Sequence, residues 1–231
     1  MKKLKVEYID HYGSDLMVAN CARVSFNKWK NIYEENDQKL IKYLARENHI
    51  MPFCHPVVTM RITAPIYIAR QLGKHQVGCV WSEVSRRYVD YEPVLDAPDV
   101  WRKRAEDKKQ GSLDEEVNLC EYDEFGGENL GKPFYDSLEG YLHYVQKECL
   151  NLYDGLLEAG VCPEQARMVL PQNMETTWIW TCSLAAWARI YNLRNEEHAQ
   201  KEVQDVAREI DKIMSPLFPD SWMALTTELF K

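Results

Sequence analysis

Between residues 70 and 88 the chain crowds cations, amides, an imidazole, a carboxylate and hydroxyls into one short span. The run is Arg70-Gln71-Leu72-Gly73-Lys74-His75-Gln76, followed by Glu83-Val84-Ser85-Arg86-Arg87-Tyr88. Arg86-Arg87 beside Ser85 has the chemistry of a phosphate grip: a guanidinium offers two parallel donors and the serine adds a neutral one. Taken alone, the pair reads first as ordinary charge on a solvated edge strand. A second segment, Ala166-Arg167-Met168-Val169-Leu170-Pro171, sets an arginine inside an apolar run. Alone it reads as an arginine that snorkels or pairs with a core carboxylate. A third, Asn192-Leu193-Arg194-Asn195-Glu196-Glu197-His198-Ala199-Gln200, puts Arg194 and His198 about one turn apart if a helix begins near Arg194. Alone it reads as a polar helix start.

The background charge sharpens the question. The net charge is -8, which disfavours a broad nucleic-acid surface because phosphate backbones need a basic field. A small anionic ligand then requires a local arginine cluster that reverses the field of the whole protein. The 231 residues suffice for one large domain, and 45% hydrophobic with 28% charged residues fits a globular core. The seven cysteines form no CxxC pair, so neither a zinc ribbon nor a disulfide framework is expected, and no metal site. No apolar run is long enough to span a bilayer, and charge follows Met1 at once. The expectation is a cytoplasmic protein without membrane or nucleic-acid partners. GxGxxG and Walker patterns are absent, so a dinucleotide would not bind through a Rossmann fingerprint.

Elements must position these groups. Leu4 to Asp10 alternates as a first strand, and Asp15 is expected to cap a short helix through Arg23. Asp37 to Asn48 has helical spacing; Val58, Met60 and Ile62 alternate as a second strand; Pro65 suits the first turn of a helix from Ile66 to about Gly73. Val84 to Val89 reads as extended. From about 93 to 133 the chain is a charged surface excursion. Its basic residues (Arg102, Lys103, Arg104, Lys108, Lys109) precede an acidic stretch from Asp114 to Glu128, with a short helix near Trp101. It is expected to be the most mobile part. Tyr135 to Leu157 is amphipathic, with Leu138, Leu142, Val145, Cys149, Leu152 and Leu156 on one stripe. Trp178 to Tyr191 and Glu196 to Met214 read as further helices, the last closed by Pro216 and Pro219.

Together, in this order, the three clusters resemble the flavin-dependent thymidylate synthase family. Its hallmark is Arg-His-Arg, seven residues, then serine; here Lys74-His75-Gln76 is followed by eight residues and Ser85. Ala22-Arg23-Val24-Ser25, Pro52-Phe53, His55, Ala64-Pro65-Ile66, Ala69-Arg70-Gln71 and Arg87-Tyr88 match the surroundings, as do Ala166-Arg167 through Leu170-Pro171 and Asn192 through Gln200. The likeness covers most of the chain outside the excursion. It implies an α+β fold, one domain over 1–231 with a mixed or antiparallel sheet and long helices, assembled as a homotetramer with sites at subunit interfaces.

The resemblance implies reductive methylation of dUMP to dTMP, with FAD reduced by NADPH and methylenetetrahydrofolate as one-carbon donor. By residue, it implies that Gln71, Glu83, Ser85, Arg86, Arg87, Arg167 and Arg194 bind dUMP, with Arg194 favouring ionisation at uracil N3. It implies FAD contacts from Ser25, His49, Lys74, His75, Gln76, Glu83, Ser183, Arg189 and His198. The departures are Gln76, which loses a cation; an extra residue before Ser85, to be absorbed by a bulge or longer loop; Cys54 in place of glutamate; Ser183 and Ala185 at an Asn and an Arg position; and Arg189 for an Asn, a candidate to restore the lost charge. Cys54 beside His55 faintly suggests an activated nucleophile, but no other feature supports that role. Two alternatives stand beside the methylase: a flavin-dependent dUMP hydroxymethylase, and a non-catalytic nucleotide- or RNA-binding relative.

Overall fold

The computed structural model describes residues 4–89, 91–105, 111–121 and 137–227. Lys108, Lys109, the acidic stretch beyond Glu121 and the expected helix start at Tyr135 lie outside them. The chain divides into two compact units. The larger comprises Leu4–Ala64, Ile68–Glu83 and Thr177–Lys231; the smaller comprises Met1–Lys3, Pro65–Tyr67 and Val84–Thr176.

The larger unit is built on a four-stranded sheet. In chain order its elements begin with β1 (Lys5–Tyr12), α1 (Asp15–Arg23), α2 (Glu35–Arg46), β2 (Val57–Pro65), α3 (Ile66–Leu72) and β3 (Cys79–Glu83). In the smaller unit follow β4 (Arg102–Arg104), β5 (Ser112–Glu116), α4 (Leu138–Glu158) and α5 (Pro163–Ala166). The chain then runs through β6 (Glu175–Ser183), α6 (Leu184–Arg194), α7 (Lys201–Leu217) and α8 (Pro219–Thr227). The sheet order is β1-β2-β6-β3, with β1 antiparallel to β2 and β3 antiparallel to β6. This is the expected α+β architecture.

Period-two patterning explains the central strands. Val58, Met60, Ile62 and Ala64 of β2 are buried, as are Thr176, Trp178, Trp180 and Cys182 of β6. The opposite face carries hydroxyl pairs, Thr59–Thr181 and Thr63–Thr177, each at 2.9 Å. Trp187 of α6 donates its indole N–H to the Val58 carbonyl at 3.1 Å and fixes that helix against the sheet.

Several sequence expectations are corrected. Trp178 to Tyr191 is not one helix: aromatic and β-branched residues favour the pleated surface, so the chain stays in β6 through Ser183. Ser183 then caps α6 by accepting from the Ala186 N–H at 3.2 Å. Residues 196–200 form turns, so the last long helix starts at Lys201, and Pro216 lies inside its final turn. Val84–Val89 is turn and loop; the strand is β3, just before it. Near Trp101 there is a strand pair, not a helix. Lys103–Glu115 at 3.0 Å and Arg102–Ser112 at 2.8 Å join β4 to β5, so the basic-then-acidic order supplies cross-strand partners. Ser14, not Asp15, caps α1. The buried Asp15 carboxylate instead accepts from the N–H groups of Asp220 and Ser221, at 2.9 and 3.1 Å, where α8 begins. The expected stripe of α4 is largely half-exposed, and Leu152 is 53% exposed.

Asp37 holds the α1–α2 corner. It accepts from the Glu34 N–H in a capping box and pairs with Arg23, with Lys30 at 3.6 Å. Burial pulls its carboxyl upward, yet the Glu34 N–H, Arg23 and Lys30 together bring it below its ordinary value. A lowered acid stabilises the fold above the unfolded value of 3.8, and that contribution is lost as pH falls through the folded value. Asp37→Ala leaves the Arg23 charge without its buried partner, so urea melts should show a loss of about 3–5 kcal/mol.

Candidate active site

The loop between α3 and β3 carries the first cluster. Two backbone bonds shape it, His75 N–H to Leu72 O and Cys79 N–H to Gln76 O. The His75 ring then faces the end of α6. Arg194, the last residue of that helix, donates its Nε–H to His75 Nε2 at 2.8 Å. A cation at a helix C-terminus is favoured by the exposed carbonyls there. Accepting at Nε2 requires a neutral ring with its proton on Nδ1. Burial first, then the Arg194 and Arg189 charges, lower the His75 pKa to about 4. The Arg194 terminal nitrogens have no hydrogen-bond partner among the described residues, so the guanidinium is oriented by one nitrogen and open at the others.

A pH prediction follows from His75. The folded value lies below the unfolded 6.5, so between about 6.5 and about 4 only the unfolded chain takes up the proton. This group's contribution to stability is complete above that window and declines as pH falls through it. NMR of the ring should show no titration from roughly pH 8 to 5; a midpoint near 6.5 would contradict the contact.

Gln71, on α3, has its Oε1 buried with no hydrogen-bond partner among the described residues. An unpaired buried amide oxygen costs on the order of 1–3 kcal/mol, and a ligand N–H would relieve it.

Next to the same loop lies a cavity of about 720 Å³, lined among others by Met51, Cys54, Val77, Gly78, Ser183 and Arg189. Arg189 is anchored by donating Nη2 to the Val77 carbonyl. Gly78 has φ +76°, and a Cβ there would stand 3.0 Å from Ser183 Oγ and 3.2 Å from Ala186 Cβ. Glycine therefore keeps this wall open. The lining is mainly apolar with one cation, which suits a flat conjugated ring bearing polar edges. Sequence reading found Ser183, Arg189 and the segment beginning at Asn192 but missed Met51, Val77 and Gly78.

The remaining proposed ligands divide by unit. In the larger one, Lys74, Gln76, Ser25, His49 and His198 are all exposed, and Glu83 accepts from the Trp81 indole at 3.1 Å. His198 sits on the turn after α6, so it does not share a helical face with Arg194 as expected. In the smaller unit Arg86 and Arg87 separate. Arg86 is buried, its guanidinium over the Tyr91 ring and bonded to the Tyr91 carbonyl. Arg87 is exposed, and its backbone N–H and Nε reach Ser85 Oγ at 3.3 and 3.4 Å. Arg167 is also exposed and donates Nε to the Glu164 carbonyl at 3.3 Å. Pairing of β3 with β6 is continuous from Cys79 to Glu83, so the added residue before Ser85 makes no bulge in that strand.

Cys54 donates its thiol to the Ile50 carbonyl, and burial raises its pKa against the pull of Arg189. A thiol held protonated is a poor nucleophile. Cys54→Ala should keep turnover within about threefold of the parent, the scale of a lost packing contact.

Residues 7–220 match the family model described as thymidylate synthase complementing protein. The flavin-dependent thymidylate synthase of Thermus thermophilus is 33% identical over 230 residues, 98% of this chain and 77% of that protein. That of Thermosipho melanesiensis is 34% identical over 212 residues, 91% and 85% of the two chains. Among solved structures, the UMP/dUMP methylase PolB from Streptomyces cacaoi, bound with 5-Br dUMP, superposes with a TM-score of 0.78. It is 26% identical, and the match covers 97% of this chain and 95% of that one.

Proposed function

This chain belongs to the flavin-dependent thymidylate synthase family, and from that premise we propose that it methylates dUMP to dTMP with methylenetetrahydrofolate as carbon donor and NADPH as reductant. It is a flavin-dependent methyltransferase of that family. The observation that carries the site assignment is Arg194: His75 orients it while its terminal nitrogens stay open toward a ligand.

Arg194 stabilises negative charge on the pyrimidine as N3 loses its proton. A guanidinium stays charged throughout, and the increased electron density at C5 lets that carbon attack without a covalent enzyme adduct. Neutral His75 orients Arg194 without adding a competing charge. Gln71 Oε1 accepts from the nucleotide. Ser85, Arg87 and Arg167 are the donors we assign to its phosphate, and buried Arg86 holds the loop that carries the first two. Glu83 orients the base.

Ser183, Arg189 and the open wall at Gly78 fit a flavin, with Ser25, His49, Lys74, His75, Gln76 and His198 as further contacts. Held there and reduced by NADPH, the flavin would supply the hydride that completes the methyl group; the protein supplies position and field. We further assign a homotetramer. Phe26, Trp29 and Ile32, 76%, 66% and 73% exposed, are large apolar side chains of the kind a second copy covers.

Mass analysis of the nucleotide product tests the reading. A methylated product supports it; a hydroxymethylated product would replace it with the hydroxymethylase, and unchanged dUMP would overturn both.

A further inference from the structure

Among the described residues, two cysteines face each other across the edge of the sheet. Cys79 of β3 pairs in register with Cys182 of β6. The neighbouring pair, Gly78 and Ser183, is hydrogen-bonded through Ser183 N–H to Gly78 O at 2.9 Å. Antiparallel ladders alternate, so Cys79–Cys182 is a pair without backbone hydrogen bonds, where facing Cα atoms lie about 4.5 Å apart. That falls at the short end of the roughly 4.4–6.8 Å span of disulfides. The two sulfurs can therefore bond without separating the strands. β3 is an edge strand and Cys79 is half-buried, while Cys182 is buried. One sulfur is thus open to an oxidant and the other waits behind it.

We propose that Cys79 and Cys182 form a redox-active dithiol that low-molecular-weight disulfides oxidise to a cross-strand disulfide. The Cys79 thiolate attacks one sulfur of the disulfide and expels a thiolate. Cys182 loses its proton and attacks Cys79 Sγ, expelling the second thiol. The net change consumes one small disulfide and two protein thiols, and yields two small thiols and one protein disulfide. The roles are asymmetric: the hydrogen bond from Cys182, opposed by burial and aided by Arg189, lowers the Cys79 thiol, whereas burial raises that of Cys182. A lowered thiol attacks and a raised one resolves.

The dithiol is mechanically tied to the cavity. Cys79 Sγ donates to the Val77 carbonyl at 3.7 Å, and Arg189 donates to that same carbonyl from the cavity wall. Oxidation removes the thiol donor and draws Cys79 Sγ toward Cys182, which disturbs the anchor of Arg189. This coupling, unlike the disulfide itself, rests on the flavin assignment above.

The test treats the purified full chain with glutathione disulfide. Peptide mapping should join the Cys79 and Cys182 peptides, and emission from the adjoining Trp81 and Trp180 should change on oxidation and recover with dithiothreitol. Cys182→Ala should stop at a mixed disulfide on Cys79; Cys79→Ser should form neither species. Absence of the Cys79–Cys182 link, or an adduct that favours another cysteine in Cys182→Ala, would overturn the dithiol. FAD should bind the oxidised protein roughly tenfold more weakly than the reduced one, within the usual range of coupling between sites. Equal affinities would overturn the coupling, whereas no FAD binding by the reduced protein would count against the flavin assignment alone.

Discussion

Arg194→Ala should lower kcat for dUMP methylation by about 10²–10³-fold, the scale of removing one donor aimed at developing transition-state charge. Position matters here as much as charge. Arg194 ends α6, is half-buried, and gives one nitrogen to His75 while leaving the others open. Arg194→Lys should recover only part of the loss, because an ammonium keeps the charge but not the planar fork. An independent readout comes from His75. Burial and the Arg194 charge keep its pKa near 4, so removing Arg194 should move the ring titration upward. A merely structural arginine would leave kcat near normal once the variant is folded.

Gly78→Val should weaken FAD binding by roughly 10- to 100-fold, the equivalent of about 1–3 kcal/mol of overpacking. Two effects combine. The backbone has φ +76°, which a β-branched residue resists, and the first added carbon already presses on Ser183 Oγ and Ala186 Cβ. The branched methyls then close the wall beside Val77. Isothermal titration with FAD measures the binding, and a thermal melt of the same sample separates loss of the cavity from loss of the fold. Unchanged affinity in the folded variant would remove this cavity as the flavin site.

The two experiments probe parts that differ in how visible they were in the sequence. The strand β2 was legible because alternation over one buried face leaves a period of two; β1 shows apolar–polar alternation at Leu4, Val6 and Tyr8, although none of its residues is buried. β6 was not: Trp178, Ile179 and Trp180 are apolar on consecutive positions, and helix and strand cannot be separated by periodicity there. Ser183 before Leu184-Ala185-Ala186 marked the true helix start. The α4 stripe was read correctly as helical, yet its exposure depends on what packs against it, which no local pattern encodes. The same limit applies to the arginine pair. Adjacent in sequence, Arg86 and Arg87 have opposite fates because Tyr91, five residues beyond Arg86, captures one of them. The triplet drew attention to His75, but not to its bond with Arg194, 119 residues away. Gly78 was overlooked because a lone glycine after a motif looks like ordinary turn chemistry until its φ and neighbours are known.

In the proposed reaction, an arginine oriented by a neutral histidine activates C5 of dUMP for flavin-dependent methylation. Loss of label from [5-³H]dUMP, measured with FAD, NADPH and methylenetetrahydrofolate present, addresses it most directly. Tritium should pass to solvent in the complete mixture with the parent protein, and release should collapse in Arg194→Ala. Full retention of the label by folded, FAD-loaded parent protein would contradict the account.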